Sequence, residues 1–153
     1  MTESTGAHEA RTPTDIDRIA EEWVDTLVEL SPELATYIGA EGRLDEYSDY
    51  SPAGVAAMQE AGRATLAKLN AATPVDDTDR VTKIDLSAEI DLQLELADAG
   101  WEERDLNVLA SPAQSIREIY DLMPTATEDD WATIPRKLTR VREALDGYAE
   151  LLR

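Results

Sequence analysis

The stretch Thr14-Asp-Ile-Asp-Arg-Ile-Ala-Glu-Glu-Trp-Val-Asp-Thr-Leu-Val-Glu-Leu30 sets Ile16, Ile19, Ala20, Trp23, Val24 and Leu27 three and four residues apart. Asp17, Arg18, Glu21, Glu22 and Asp25 fill the positions between them. A 3.6-residue period with charge on the opposite side is the signature of an amphipathic α-helix lying on a core. Thr14 is a suitable N-cap, and Asp15 and Asp17 occupy the first turn, where the helix dipole favours negative charge.

Downstream, the pairs Ser31-Pro32, Ser51-Pro52 and Ser111-Pro112 each set a capping hydroxyl before a residue whose fixed φ suits the first helical position. The first opens a short helix through Leu34, Tyr37 and Ile38, stopped by Gly39. The second opens one through Val55, Met58, Leu66 and Leu69 that ends before Pro74. Between them, Ala40 to Tyr50 reads as a loop, with Gly42, Asp45, Ser48 and Asp49. Asp76 to Ala99 is predicted helical with Gly100 at its C-terminus. Its apolar residues Val81, Ile84, Leu86, Ile90, Leu92, Leu94 and Leu96 fall on more than one face, which predicts packing on two sides.

Trp101 to Ala110 is a connection, and Leu106, Val108 and Leu109 predict that it is ordered. The third Ser-Pro pair begins a helix through Ile116, Ile119, Tyr120 and Met123, closed by Pro124. Thr127 with Asp130 resembles a capping box. It introduces Trp131, Ile134, Leu138, Val141, Leu145, Tyr148 and Leu152 at helical spacing, with Pro135 expected to kink or split the element. No stretch alternates as a strand does, and Asp146-Gly147, the one hairpin-type dipeptide, falls inside a helical pattern. The expected fold is all-α, a multi-helix array or bundle of about five to seven helices with no sheet. Residues 1–13 are read as a disordered leader and 14–153 as a single helical domain.

Charge and composition narrow the chemistry. There are 33 acidic against 14 basic residues in 153, a formal charge of −19, and the pI is near 4.2. Such a field repels phosphate backbones and anionic lipid, which argues against nucleic-acid and membrane partners. The absence of cysteine removes disulfides, thiolate zinc sites and thiol nucleophiles. The N-terminal residues lack the apolar core of a signal peptide, no run approaches the about 18 apolar residues of a membrane span, and a cytoplasmic location is expected.

His8 is the single histidine and falls in the expected leader, so no two-histidine metal site and no Ser-His-Asp triad can form within one chain. Carboxylates are the remaining candidates. Asp85, Glu89 and Asp91 to Glu95 include i, i+4 neighbours able to share a cation. Yet Asp76 to Asp105 holds eleven acids against Arg80, Lys83 and Arg104, so a solvated acidic face is the plainer reading. Trp23 and Trp131, in phase with apolar stripes, are expected as core anchors, and Trp101 as cover for a seam. Tyr47 and Tyr50 are read either as exposed contact residues or as half-buried loop anchors. The stripe of the last helix runs on to Leu152, which fits both the closing helix of a small bundle and a helix belonging to a longer chain.

The order of Leu30-Ser-Pro-Glu-Leu-Ala-Thr-Tyr-Ile-Gly39, Asp49-Tyr-Ser-Pro52, Leu106-Asn-Val-Leu-Ala-Ser-Pro-Ala-Gln-Ser-Ile-Arg117, Tyr120-Asp-Leu-Met-Pro-Thr125 and Glu128-Asp-Asp-Trp131 resembles the beginning of the bacterial domain-of-unknown-function 885 family. The resemblance covers nearly all of residues 15 to 153. It implies a mostly helical protein of several hundred residues, similar to zinc carboxypeptidases of the carboxypeptidase Taq kind. The zinc would be held by an H-E-x-x-H helix far downstream, where two histidines one turn apart bind the metal and the glutamate activates water. By that resemblance these residues are the N-terminal helical part, a wall or lid of a peptide-substrate cleft, with no catalytic, cofactor or metal residue of their own. Pro135 departs from the family pattern. The expected partner is the remainder of the same chain. The alternative is a stand-alone acidic module that self-associates or binds a basic partner.

Overall fold

In a computed structural model that describes residues 11–153, the described residues form six α-helices and no strand. They are α1 (Asp15–Leu30), α2 (Pro32–Ile38), α3 (Pro52–Ala71), α4 (Asp77–Asp98), α5 (Pro112–Glu118) and α6 (Glu128–Leu151). Two 3-10 turns, Glu102–Arg104 and Ile119–Asp121, complete the order. Met1 to Ala10, and with them His8 and most of the expected leader, lie outside the described residues.

The local signals account for the boundaries. Thr14 accepts from the Asp17 amide at 3.2 Å while Asp17 accepts from the Thr14 amide at 2.8 Å, a reciprocal capping box. Thr127 and Asp130 repeat it on α6, and those hydrogen bonds hold the Asp130 carboxyl below its ordinary range. All three Ser-Pro pairs open helices. Ser51 accepts from the Gly54 amide, whereas Ser31 makes no cap bond and lies 3.0 Å from the Ser48 hydroxyl instead. Gly39 and Gly100 end α2 and α4 at φ of 68° and 67°, a conformation that costs a side chain dearly.

Helices α1, α3 and α4 pack mutually, with α2 against α1. Their centre is Ile16, Ala35, Leu69 and Ile90. Helices α5 and α6 pack on each other around Ile116, Ile119, Met123, Ala144, Tyr148 and Leu151, and α6 reaches the first group through α3. Arg11 reaches Asp76 and Asp17 at 2.5 Å each and also pairs with the buried Asp79, so residue 11 ties the start of α1 to that of α4. The guanidinium holds the Asp17 and Asp76 carboxyls below their ordinary range.

One expectation is narrowed and three need correction. Pro135 lies inside α6 without splitting it. Trp131 is 60% exposed and donates through Nε1 to the Thr125 carbonyl at 3.0 Å, so it is no core anchor. The 101–110 connection is held by polar bonds and not by apolar packing. Asn107 accepts the Leu109 and Ala110 amides at 2.8 and 2.9 Å, while Trp101, Leu106, Val108 and Leu109 face solvent. Finally, α4 packs on α1 and α3 but leaves Val81, Ile84 and Leu92 exposed, because its apolar residues are spread more widely than its neighbours can cover.

Candidate functional site

Two built features stand out. The first is a polar cluster where α2, the 40–50 loop, α5 and α6 meet. Glu33, at the second position of α2 and buried, gains from the helix N-terminus. Its Oε2 accepts from the Ser48 amide at 2.9 Å and the Ser48 hydroxyl at 2.5 Å, and its Oε1 from the Tyr50 hydroxyl at 2.8 Å. Tyr47 donates to the Ile116 carbonyl at 3.0 Å and lies 2.6 Å from the Tyr120 hydroxyl. Lys137, wholly buried on α6, sets its Nζ 4.2 Å from the Tyr47 ring centroid and donates to the Glu46 carbonyl.

Burial pushes the Tyr47 and Tyr50 hydroxyls well above their ordinary pKa, aided for Tyr47 by Tyr120 and for Tyr50 by the Glu33 charge. Burial also lowers the Lys137 amine, partly offset by the fields of Glu33, Asp45 and Glu46. Beside this cluster opens a cleft of about 380 Å³ lined by charged and polar groups including Arg43, Glu46, Asp49 and Arg140. The cluster joins four elements and leaves every described ionisable partner engaged. It reads as a staple, since buried polar groups are retained when each is hydrogen-bonded.

The second feature is a groove of about 360 Å³ among α1, α3 and α4. Trp23 and Leu27 line one side, Val55, Met58 and Gly62 a second, and Ile90, Leu94 and Ala97 a third, with Gln59, Gln93, Glu89 and Glu102 around them. Gly62 deepens it, because a Cβ there would stand 3.2 Å from the Ile90 side chain. Apolar concavities with a few polar groups are the usual form of a binding site.

The carboxylate candidates Asp85, Glu89, Asp91 and Glu95 are solvent-exposed. Glu89 alone among them borders the groove, accepting from Gln93 at 3.0 Å. Among the described residues no three His, Cys, Asp or Glu side chains converge where a metal ion could sit. The residues present do not fit the zinc implied by the resemblance, since the described residues include no histidine and no converging set of carboxylates. Tyr47 and Tyr50 are half-buried anchors, and Trp23, expected in the core, is half-buried at the groove. Sequence reading missed Glu33, Lys137 and the groove. Lys137 carried a signal, since it stands in register with Ile134, Val141, Ala144, Tyr148 and Leu151, the face α6 turns inward.

The class defined by this fold and these features is an all-α array with an apolar groove and a buried polar staple, in which no helix of the described residues is long and apolar enough to cross a membrane. The chain belongs to the family described as Bacterial protein of unknown function (DUF885), whose model matches residues 32–153. Among curated proteins none matches it.

Proposed function

We propose that this chain is a non-catalytic helical part of a larger cytoplasmic protein resembling zinc peptidases, and that it shapes or covers that protein's peptide cleft. The observation that carries the reading is the outward face of α6. Trp131, Leu138 and Leu145 lie seven residues apart on one side of the helix and are 60%, 53% and 40% exposed. Large apolar side chains aligned on a helix and left in water are the mark of a surface that another element covers. The neighbouring role is structural, since α6 also carries the staple residue Lys137 on its inner face.

The experiment is the intact mass of the endogenous protein captured with an antibody raised against these residues. A mass several times 16.9 kDa, with zinc bound stoichiometrically to that form, supports the reading. A mass near that of the chain sinks it. The same stripe would then serve self-association, which light scattering on the 153-residue chain would show as a discrete dimer lost on changing Leu138 and Leu145 to Lys.

A further inference from the structure

We infer that the groove among α1, α3 and α4 is a docking site for a cationic amphipathic helical segment that presents apolar side chains one turn apart and carries Lys or Arg beside them. Three observations converge. First, the lining is apolar, from Trp23, Leu27, Met58, Ile90 and Leu94, and Ile90 is 2% exposed at its floor. Second, it runs along α3 from Val55 to Gly62, about 10 Å at 1.5 Å per residue, the span of two turns of a docked helix. Its volume of about 360 Å³ is enough for two large side chains and too small for a whole domain face.

Third, the unpaired charge around it is acidic. Glu89 and Glu102 border the groove, and Asp85, Asp91 and Glu95 continue the acidic face of α4, none with a cationic partner among the described residues. The two cations of α3 are already paired with acids, Arg63 with Asp98 at 2.9 Å, while also donating to the groove-lining Gln59 at 3.3 Å, and Lys68 with Glu22 at 2.7 Å. Unpaired carboxylates beside an apolar trough select a partner with positive charge flanking its apolar face and disfavour an acidic one. A second copy of this chain, itself at −19, is a poor occupant on that ground.

No stripe residue of α6 lines this groove, so the inference stands apart from the reading above, and a single-chain endogenous mass would leave it untouched. The test uses the 153-residue chain with Trp101→Phe and Trp131→Phe, both exposed positions, so that Trp23 alone reports by fluorescence. The probe is an amidated 14-residue helix-forming peptide with Leu one turn apart and Lys on both flanks. One-to-one binding with a blue shift of Trp23 emission is expected, weakened about tenfold by Glu89→Lys with Glu102→Lys, as two rim pairs together supply. Ala97→Phe, which fills the groove, should abolish it, with far-ultraviolet circular dichroism confirming that the helices persist. Binding unchanged by both variants would mean adsorption to the acidic surface at large and overturn the inference. So would equal affinity for the same peptide with Glu in place of Lys, or no shift at millimolar peptide.

Discussion

Lys137 shows how one residue can carry a face of the fold while looking ordinary in the sequence. Its four-carbon stem fills a core position of α6 and its ammonium finds the Tyr47 ring and the Glu46 carbonyl. The charge is costly there, the shape is not. Lys137→Ala should therefore cost about 2–5 kcal/mol in a denaturant melt, the range for emptying a large buried site. Lys137→Met, which keeps the volume and gives up the charge, should stay within about 1.5 kcal/mol of the parent. An equal loss in both would show that the ammonium, not the packing, is what the site needs. Trp131 makes the opposite point. It stands in phase with apolar neighbours, yet Trp131→Ala should cost below about 1 kcal/mol, as exposed positions do. A loss of 3 kcal/mol or more by the same melt would return it to the core.

Most element boundaries could be read from the sequence because capping is local chemistry. Thr14 with Asp17, Thr127 with Asp130, and Ser-Pro at three starts each place a hydrogen-bonding oxygen or a fixed φ within four residues of the turn they open. Which side of a helix faces inward is not local. On α6 the apolar set is wider than one contact, so Ile134, Val141 and Tyr148 turn in with Lys137 while Trp131, Leu138 and Leu145 turn out. The groove was illegible for the same reason, since it exists only where three helices meet. Gly54 is a further case. Within α3 it reads as a tolerated weakness, but a Cβ there would overlap the Asp49 carbonyl, so the loop can close onto the helix start only past a bare Cα. Gly54→Ala should cost about 1–3 kcal/mol despite alanine's better propensity. Pro135→Ala should act in the other direction. It restores an amide donor inside an exposed stretch of α6 and should raise stability by about 1–2 kcal/mol. A thermal melt of the two variants side by side should show midpoints moving apart, and movement in the same direction would contradict one assignment.

Across the whole molecule, tyrosine hydroxyls are the ties between layers. Tyr47 fastens the 40–50 loop to α5, Tyr50 fastens it to α2 through Glu33, and Tyr148 on α6 donates to the Asp105 carbonyl. Burial raises the pKa of Tyr47, Tyr50 and Tyr120 in the folded chain. A phenol raised by folding contributes stability that is intact below its unfolded value of about 10 and is lost as pH rises beyond it. Lys137 works in reverse. Its folded pKa is lowered, so its cost is present at neutral pH and is relieved as pH climbs toward the unfolded value of about 10.4. The groups whose fields act on it are Glu33, Asp45 and Glu46, which oppose that relief, and Arg140, which favours it. Three phenols outweigh one amine. The urea midpoint should stay level from about pH 7 to 9 and fall steeply above about 10. In the Tyr47→Phe, Tyr50→Phe double variant, the midpoint should start lower at neutral pH and fall less on the alkaline side, because two of the groups that take up the penalty are gone. A parent midpoint that rises between about pH 9 and 11 would place the balance with Lys137. The ties would then be weaker than their hydrogen bonds imply, and release of the buried Lys137 charge would govern the alkaline response.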